Sequence, residues 1–409
     1  MKKVLIWDTF PRLNIGGPLG YLYNLHQYLQ EHPTEQISFL TDLILEKYGD
    51  AEWLHPTGSL TRSPKTFLGK VWRSLAEKYY ICIWPFKGIE FQVPHALNVN
   101  EFDYVHIHQV THFQQFKQLF PNYKGKVILT SHSPCPFSDE LIERAAGKHS
   151  IFRKILMSLR PFLIRMECYA YDKTDFVMFP CPGAREPYEK CAAMREAFER
   201  NRNKFFYVPS TIVDYHPNPI FQQKLSDFQI PNNSFVITYF GRHNQIKGYD
   251  ILVKIGMQLL EKYPNLYFLC AGNGAITPPL HARWKELGFI NNVDDLLPQS
   301  DLYILPNRET YFDLITLQVL RAGVPIALSN TGGNTYFQEL PNEETKGMII
   351  FDINESDVLI SIVENMMNMK SSSLKRFDDL KQSNRRLYEN YFTYDKYLNN
   401  YINFINQLS

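Results

Sequence analysis

Short apolar runs alternate with polar, glycine-bracketed loops and amphipathic stretches along almost the whole chain. Residues 4–7, 37–40, 103–108, 126–130, 176–179 and 205–208 each read as a short strand in the first half. Residues 235–240, 266–270, 301–306, 324–328 and 348–351 repeat the pattern in the second half. Between these runs the apolar period lengthens toward 3.6, as at Leu22, Leu25 and Leu29 and again at Leu252, Ile255 and Leu259. Residues 140–173 are helical in pattern throughout, with Pro161 expected to kink or split them. A weaker helix and turn region is expected up to Gln299, and long polar helices from Glu355 onward. Two halves that alternate strands and helices predict an α/β chain of two doubly wound domains facing each other. The Pro- and Asn-rich stretch 209–233 breaks the alternation and reads as the interdomain region, with the boundary near Asp214. The expected division is 1–213, 214–385 and a C-terminal helix, 386–409, that packs back toward the first domain.

Residues 235–260 carry the strongest local chemistry. An apolar run to Phe240 passes through Gly241-Arg242 and Lys247-Gly248 into a helix, the pattern of a βα unit whose loop lies at the carboxyl end of a strand. Ligands of open α/β sheets bind at that end, and a helix N-terminus adds donors and positive potential. Arg242 and Lys247 there read as a phosphate or diphosphate clamp, against the plainer alternative of a solvated turn. The loop after the first strand holds Gly16-Gly17, which lets backbone amides approach an anion, or is a plain loop. His106 and His108 share one side of a strand and read as polar groups at its end. His132, directly after the strand 126–130, is placed either to touch a ligand or to bond its own loop.

Length and composition narrow the classes. A chain of 409 residues calls for two or three domains. Lys plus Arg number 43 against 42 Asp plus Glu, so nucleic acid is not expected as the main partner. The six cysteines include no CxxC pair, which indicates neither a zinc site nor a disulfide framework and fits a reducing cytosol. The amino terminus reads as a first strand, not a signal peptide, and no apolar run reaches bilayer-spanning length. Two basic amphipathic stretches, 65–73 and 140–173, are candidates either for rest on an anionic membrane surface or for ordinary solvated faces.

Taken in order, the motifs resemble those of the retaining GT-B glycosyltransferases, the large group 1 or GT4 family. The matching positions are Asn14 to Pro18, the D-x-x-H-x-H of Asp103 to His108, Thr130 to His132, and the G-R-x-x-x-x-K-G of Gly241 to Gly248. Then follow Gly272-Asn273-Gly274, the D-L-Y-I-L-P of Asp301 to Pro306, and Gly323-Val324-Pro325 with Gly332-Gly333. The resemblance covers nearly the whole chain. It implies two Rossmann-like domains across a crevice and transfer of a sugar from a nucleotide-diphosphate donor to an acceptor hydroxyl, with retention and without a metal or other cofactor. It implies that Arg242 and Lys247 bind the diphosphate and stabilise the leaving group, that Gly16 and Gly17 bring amides to the same phosphates, and that His132 contacts the transferred sugar. Asn273 and Gly274 belong to the implied donor site.

The departures fall on the family's E-x7-E pair. Counting back from Gly323-Val324-Pro325 puts the second acid at Gln318, which bonds a ribose hydroxyl as donor and acceptor but is no carboxylate. With Phe312 and Leu314 in register, the first acid falls on Thr310, next to Glu309. Glu309 is the expected sugar-facing acid, and Asp313, where a small residue is usual, is a second acidic candidate in that loop. The expected function is an active transferase in cell-surface polysaccharide or glycoconjugate synthesis. Its expected partners are a nucleotide sugar and a glycan or lipid-linked acceptor, and its expected location is cytoplasmic, with possible peripheral contact at the inner membrane face. The alternative is a non-catalytic GT-B partner that binds nucleotide sugar or acceptor for another enzyme.

Overall fold

The computed structural model describes residues 1–8, 18–48, 67–87, 97–147, 150–215, 224–290, 293–355 and 357–408. Gly16, Gly17, Lys148 and the start of the basic stretch 65–73 lie outside them. By its internal contacts the chain divides into two compact units. The first comprises Met1–Phe179, Pro187–Val208 and Tyr401–Ser409, and the second Pro180–Glu186 and Pro209–Asn400.

The first unit is built on six parallel strands: β1 (Val4–Trp7), β2 (Ile37–Phe39), β3 (Tyr104–Ile107), β4 (Lys126–Leu129), β5 (Phe176–Phe179) and β6 (Phe205–Tyr207). They run in the order β2-β1-β3-β4-β5-β6. All four residues of β1 and of β3 are buried, as a parallel sheet covered on both faces requires. Trp7 packs its ring edge-on to Phe116, at 5.0 Å between centroids. The last turns of the helix Tyr394–Gln407 belong here: Tyr104 Oη donates to Leu408 O at 3.1 Å, and Tyr401 reaches His106.

The second unit carries β7 (Phe235–Phe240), β8 (Leu266–Ala271), β9 (Trp284–Glu286), β10 (Leu302–Leu305), β11 (Ile326–Ser329) and β12 (Met348–Phe351). Their order, β12-β11-β10-β7-β8-β9, is that of a doubly wound dinucleotide-binding sheet, and every pairing is parallel. All six residues of β7 are buried. Large apolar side chains such as Phe235 and Ile237 each contribute roughly 1.5–3 kcal/mol relative to exposure. Helix Leu374–Tyr391 is tied to this sheet by Asn384, whose amide donates to Val324 O at 2.6 Å and Gly347 O at 3.1 Å.

Two expectations are corrected. The region before Gln299 holds no α-helix among the described residues; it forms the short edge strand β9 and the 3-10 turn Leu297–Gln299. The stretch 140–173 is three helices, Phe137–Ala146, Ser150–Met157 and Arg160–Lys173. The first ends at Gly147, which adopts φ +59°, a break that was not expected; the split expected at Pro161 is present, with Pro161 in the first turn of the third helix, where its missing N–H costs nothing. Residues 40–87 also carry the helices Leu40–Tyr48 and Phe67–Lys87, the second taking in most of the basic stretch 65–73.

Candidate nucleotide-sugar site

In the second sheet the strand order reverses between β7 and β10, and ligands of open α/β sheets bind outside the carboxyl ends of the strands at such a point. The ladder between β7 and β10 stops at Tyr303 and Thr238. Beyond it the Tyr303 hydroxyl substitutes for a strand partner, accepting from Phe240 N and donating to Phe240 O, both at 2.9 Å.

The loops that leave these strands are bonded to one another. After β7, His243 N donates to Asn273 O at 3.0 Å and His243 bridges Gly274, which joins the Arg242 loop to the loop after β8. Gly272 permits this approach: its φ is +141°, and a Cβ there would lie 1.9 Å from Gly241 O. Arg308 N donates to Ile246 O at 2.8 Å, which joins the loops after β7 and β10. Gly333 N donates to Thr310 O at 3.2 Å, adding the loop after β11. Arg242, Lys247, Asn273, Gly274, Glu309, Thr310 and Asp313 are thereby gathered on one shelf.

Their states differ. Arg242 is exposed, its backbone held by the Tyr239 hydroxyl, which donates to Arg242 O at 2.8 Å. Lys247 Nζ donates to both oxygens of Asp313, at 2.7 and 2.6 Å, and the two side chains are only 13% and 18% exposed. Asn307 Nδ2 adds a third bond to Asp313, at 2.6 Å. Burial opposes ionisation of Asp313, but the Lys247 ammonium and these bonds outweigh it and hold the carboxyl below its ordinary range. Arg308 is gripped by both oxygens of Asp250 at 2.7 Å. The Gly332 amide donates to the Glu186 carboxylate at 2.6 Å. Glu309 is partly exposed beside Thr310, which is fully buried. Gln318 is turned elsewhere, its Nε2 lying 3.3 and 3.4 Å from the oxygens of Asp294, a carboxylate that also pairs with Arg321. Asp250, Asn307 and Asp294 were not among the expected site residues. Only the partner contact across loops distinguishes them from ordinary polar residues.

His132 lies in the first unit, in the loop after β4. Ser131 Oγ lies 2.7 Å from Tyr188 Oη, which donates to Ser133 O at 2.8 Å, so both neighbours of His132 are anchored. Its Nε2 is 3.0 Å from His108 Nδ1, and the Tyr21 ring packs 4.8 Å from its own. Burial lowers the pKa of both histidines, so both are neutral at pH 7. This cluster sits where the order of the first sheet reverses, between β1 and β3. His108 thus belongs with His132, more than the reading as a strand-end polar group allowed. Among the described residues no group of three His, Cys, Asp or Glu side chains is arranged to hold a metal ion.

Comparison with known proteins matches this geometry. The fold is that of sucrose-phosphate synthase from Thermosynechococcus elongatus, with a TM-score of 0.61 at 15% identity over 100% of this chain and 99% of that one. HepE from Anabaena, solved with UDP-glucose, aligns over the full length of both chains with a TM-score of 0.57 at 14% identity. Two parallel doubly wound sheets of this kind define the GT-B class. Residues 234–368, about a third of the chain, match the family described as Glycosyl transferases group 1. Among curated relatives, the O-antigen biosynthesis glycosyltransferase WclY of Escherichia coli is 25% identical over 191 residues, covering 44% of this chain and 49% of that protein. The UDP-Gal:alpha-D-GlcNAc-diphosphoundecaprenol alpha-1,3-galactosyltransferase of Escherichia coli is 26% identical over 144 residues, covering 32% and 36%. The matched regions span about half, or less, of these relatives' lengths.

Proposed function

We propose that this chain is a retaining glycosyltransferase that moves a sugar from a nucleoside-diphosphate donor to an acceptor hydroxyl, without a metal, in the synthesis of a cell-surface polysaccharide. The observation that carries the reading is the pair of cations, Arg242 and Lys247, on bonded loops at the reversal point of the second sheet. In this reading they hold the diphosphate, whose negative charge grows as the glycosidic bond breaks. Glu309 is the acid beside the sugar, and His132 is a sugar contact. The acceptor hydroxyl attacks on the face the diphosphate leaves, and the diphosphate takes its proton. UDP-glucose bound to the similarly folded HepE, and the polysaccharide role in the name of WclY, support donor class and pathway class. The domain division expected from the sequence, with the donor on the second unit, belongs to the same proposal.

The test is turnover of a panel of nucleotide sugars in the presence of a chelator. Arg242→Ala or Lys247→Ala should each lower kcat by roughly 10²–10³, the cost of removing one group that stabilises a developing anion. Activity that survives both substitutions sinks the assignment. The second reading, a non-catalytic partner, draws on Thr310 and Gln318, where the family carries acids. Under that reading nucleotide sugar binds, Lys247→Ala abolishes binding, and no turnover is seen with any donor.

A further inference from the structure

We propose that Asp313 is a resident counter-anion for Lys247, which competes with the diphosphate for that ammonium and selectively weakens binding of the free nucleoside diphosphate product. The inference rests on the diphosphate reading of Lys247 given above. Asp313 stands at the N-cap of helix Leu314–Arg321, with an extended backbone (φ −74°, ψ 121°). An Asp in that position ordinarily turns its carboxylate back to the amides of the first turn. Here it makes no such bond; it is turned outward, with both oxygens on Lys247 and one also on Asn307. The lysine that points to the site is therefore already neutralised, and Arg308 beside it is neutralised by Asp250. Arg242 is exposed and, among the described residues, has no ion pair.

A ligand phosphate that reaches Lys247 lies close to the Asp313 carboxylate in a site where both charges are largely shielded from water. The two anions repel, and the repulsion grows with the ligand's charge. A free nucleoside diphosphate carries one more ionisable oxygen than the same diphosphate esterified to a sugar. Asp313 thus acts harder against product than against donor, and favours emptying of the site after transfer.

The experiment measures dissociation constants of UDP and UDP-glucose, and of GDP and GDP-mannose, for the full chain and for Asp313→Asn and Asp313→Gly. Melting temperatures without nucleotide establish that each variant is folded. The expected result is that both variants bind the nucleoside diphosphate about tenfold or more tightly, with a smaller gain for the matching sugar nucleotide. In the Lys247→Ala background the same change at Asp313 should have a much smaller effect, because the shared ammonium is gone. Unchanged or weaker diphosphate binding by folded Asp313 variants overturns the counter-anion role while the diphosphate site stands. A variant that binds where the wild-type chain does not supports it. If neither nucleotide class binds to any form, the proposal and the diphosphate reading fall together.

Discussion

The two ring nitrogens of His106 have separate partners, and these identify its protonation state. Thr130 Oγ1 donates to Met178 O at 3.1 Å, so it accepts from His106 Nε2–H at 2.8 Å, and His106 Nδ1 accepts from the Tyr401 hydroxyl at 2.8 Å. The ring is neutral, and burial takes its pKa down to about 3, as it does for His112. In the unfolded chain both return to 6.5, so between pH 6.5 and 3 the unfolded state binds more protons, and stability falls as pH falls. Lowering the pH from 7.5 to 5 should cost about 2 kcal/mol for each of these histidines. Buried Glu167 works in the opposite direction. Burial raises it from 4.5 to about 7 against bonds from the Phe137 and Ser138 amides, so its share of stability is present in acid and lost as pH rises through 7. Its contribution over the same interval is also about 2 kcal/mol, enough to offset one histidine but not two. Urea denaturation at the two pH values should therefore show a net loss in acid. That loss should shrink in His106→Gln and grow in Glu167→Gln; a wild-type stability that does not fall would refute the assignment of neutral rings.

At the scale of single elements, the loop and helix after β7 depend on one backbone conformation. Gly248 precedes helix Tyr249–Lys262 at φ +65°, and a Cβ there would lie 1.7 Å from Pro306 O, the residue that follows β10. Gly248→Ala combines left-handed strain with a backbone clash. It should lower stability by roughly 2–4 kcal/mol and weaken nucleotide binding in parallel, as measured by denaturation and by titration with UDP. An Ala variant of native stability would mean that the two loops are not held in this register. Strands β7, β8 and β10 were readable because they are continuous buried runs next to glycine-rich turns. Strand β9 was not, because three residues, Trp-Lys-Glu, at a sheet edge carry no periodicity. The split near Pro161 was readable from the proline, whereas the break at Gly147 was not, because the helices on either side of it continue one amphipathic pattern.

Across the molecule, no helix among the described residues is long and apolar enough to cross a membrane. The peripheral membrane contact expected of the stretch 140–173 would fall on helix Ser150–Met157, where Ile151, Ile155 and Met157 are 72%, 48% and 42% exposed beside Arg153 and Lys154. Arg153 pairs with Glu143 at 2.5 Å and Arg144 with Glu140 at 3.2 Å, so part of the basic charge is balanced locally and the apolar face has to contribute most of the attraction. Ile151→Asp with Ile155→Asp should lower partition onto phosphatidylglycerol vesicles by about tenfold or more, read by co-sedimentation. Equal partition by the double variant would remove this helix as the contact.

The sequence by itself determined the alternation of strands and helices, the doubly wound class, and the approximate positions of the basic pair and the glycine turns. Each of these depends on local periodicity or on what a residue's own backbone permits. What Arg242 and Lys247 face was decided only by the tertiary structure. Asp313 reaches Lys247, Asp250 reaches Arg308, and Gln318 turns to Asp294, in each case because strand order brings together loops far apart in the chain. Charge compensation is a property of distances in space, which spacing along the chain does not encode. A lysine that reads as an open anion site in sequence therefore carries its own counter-ion once the sheet is assembled.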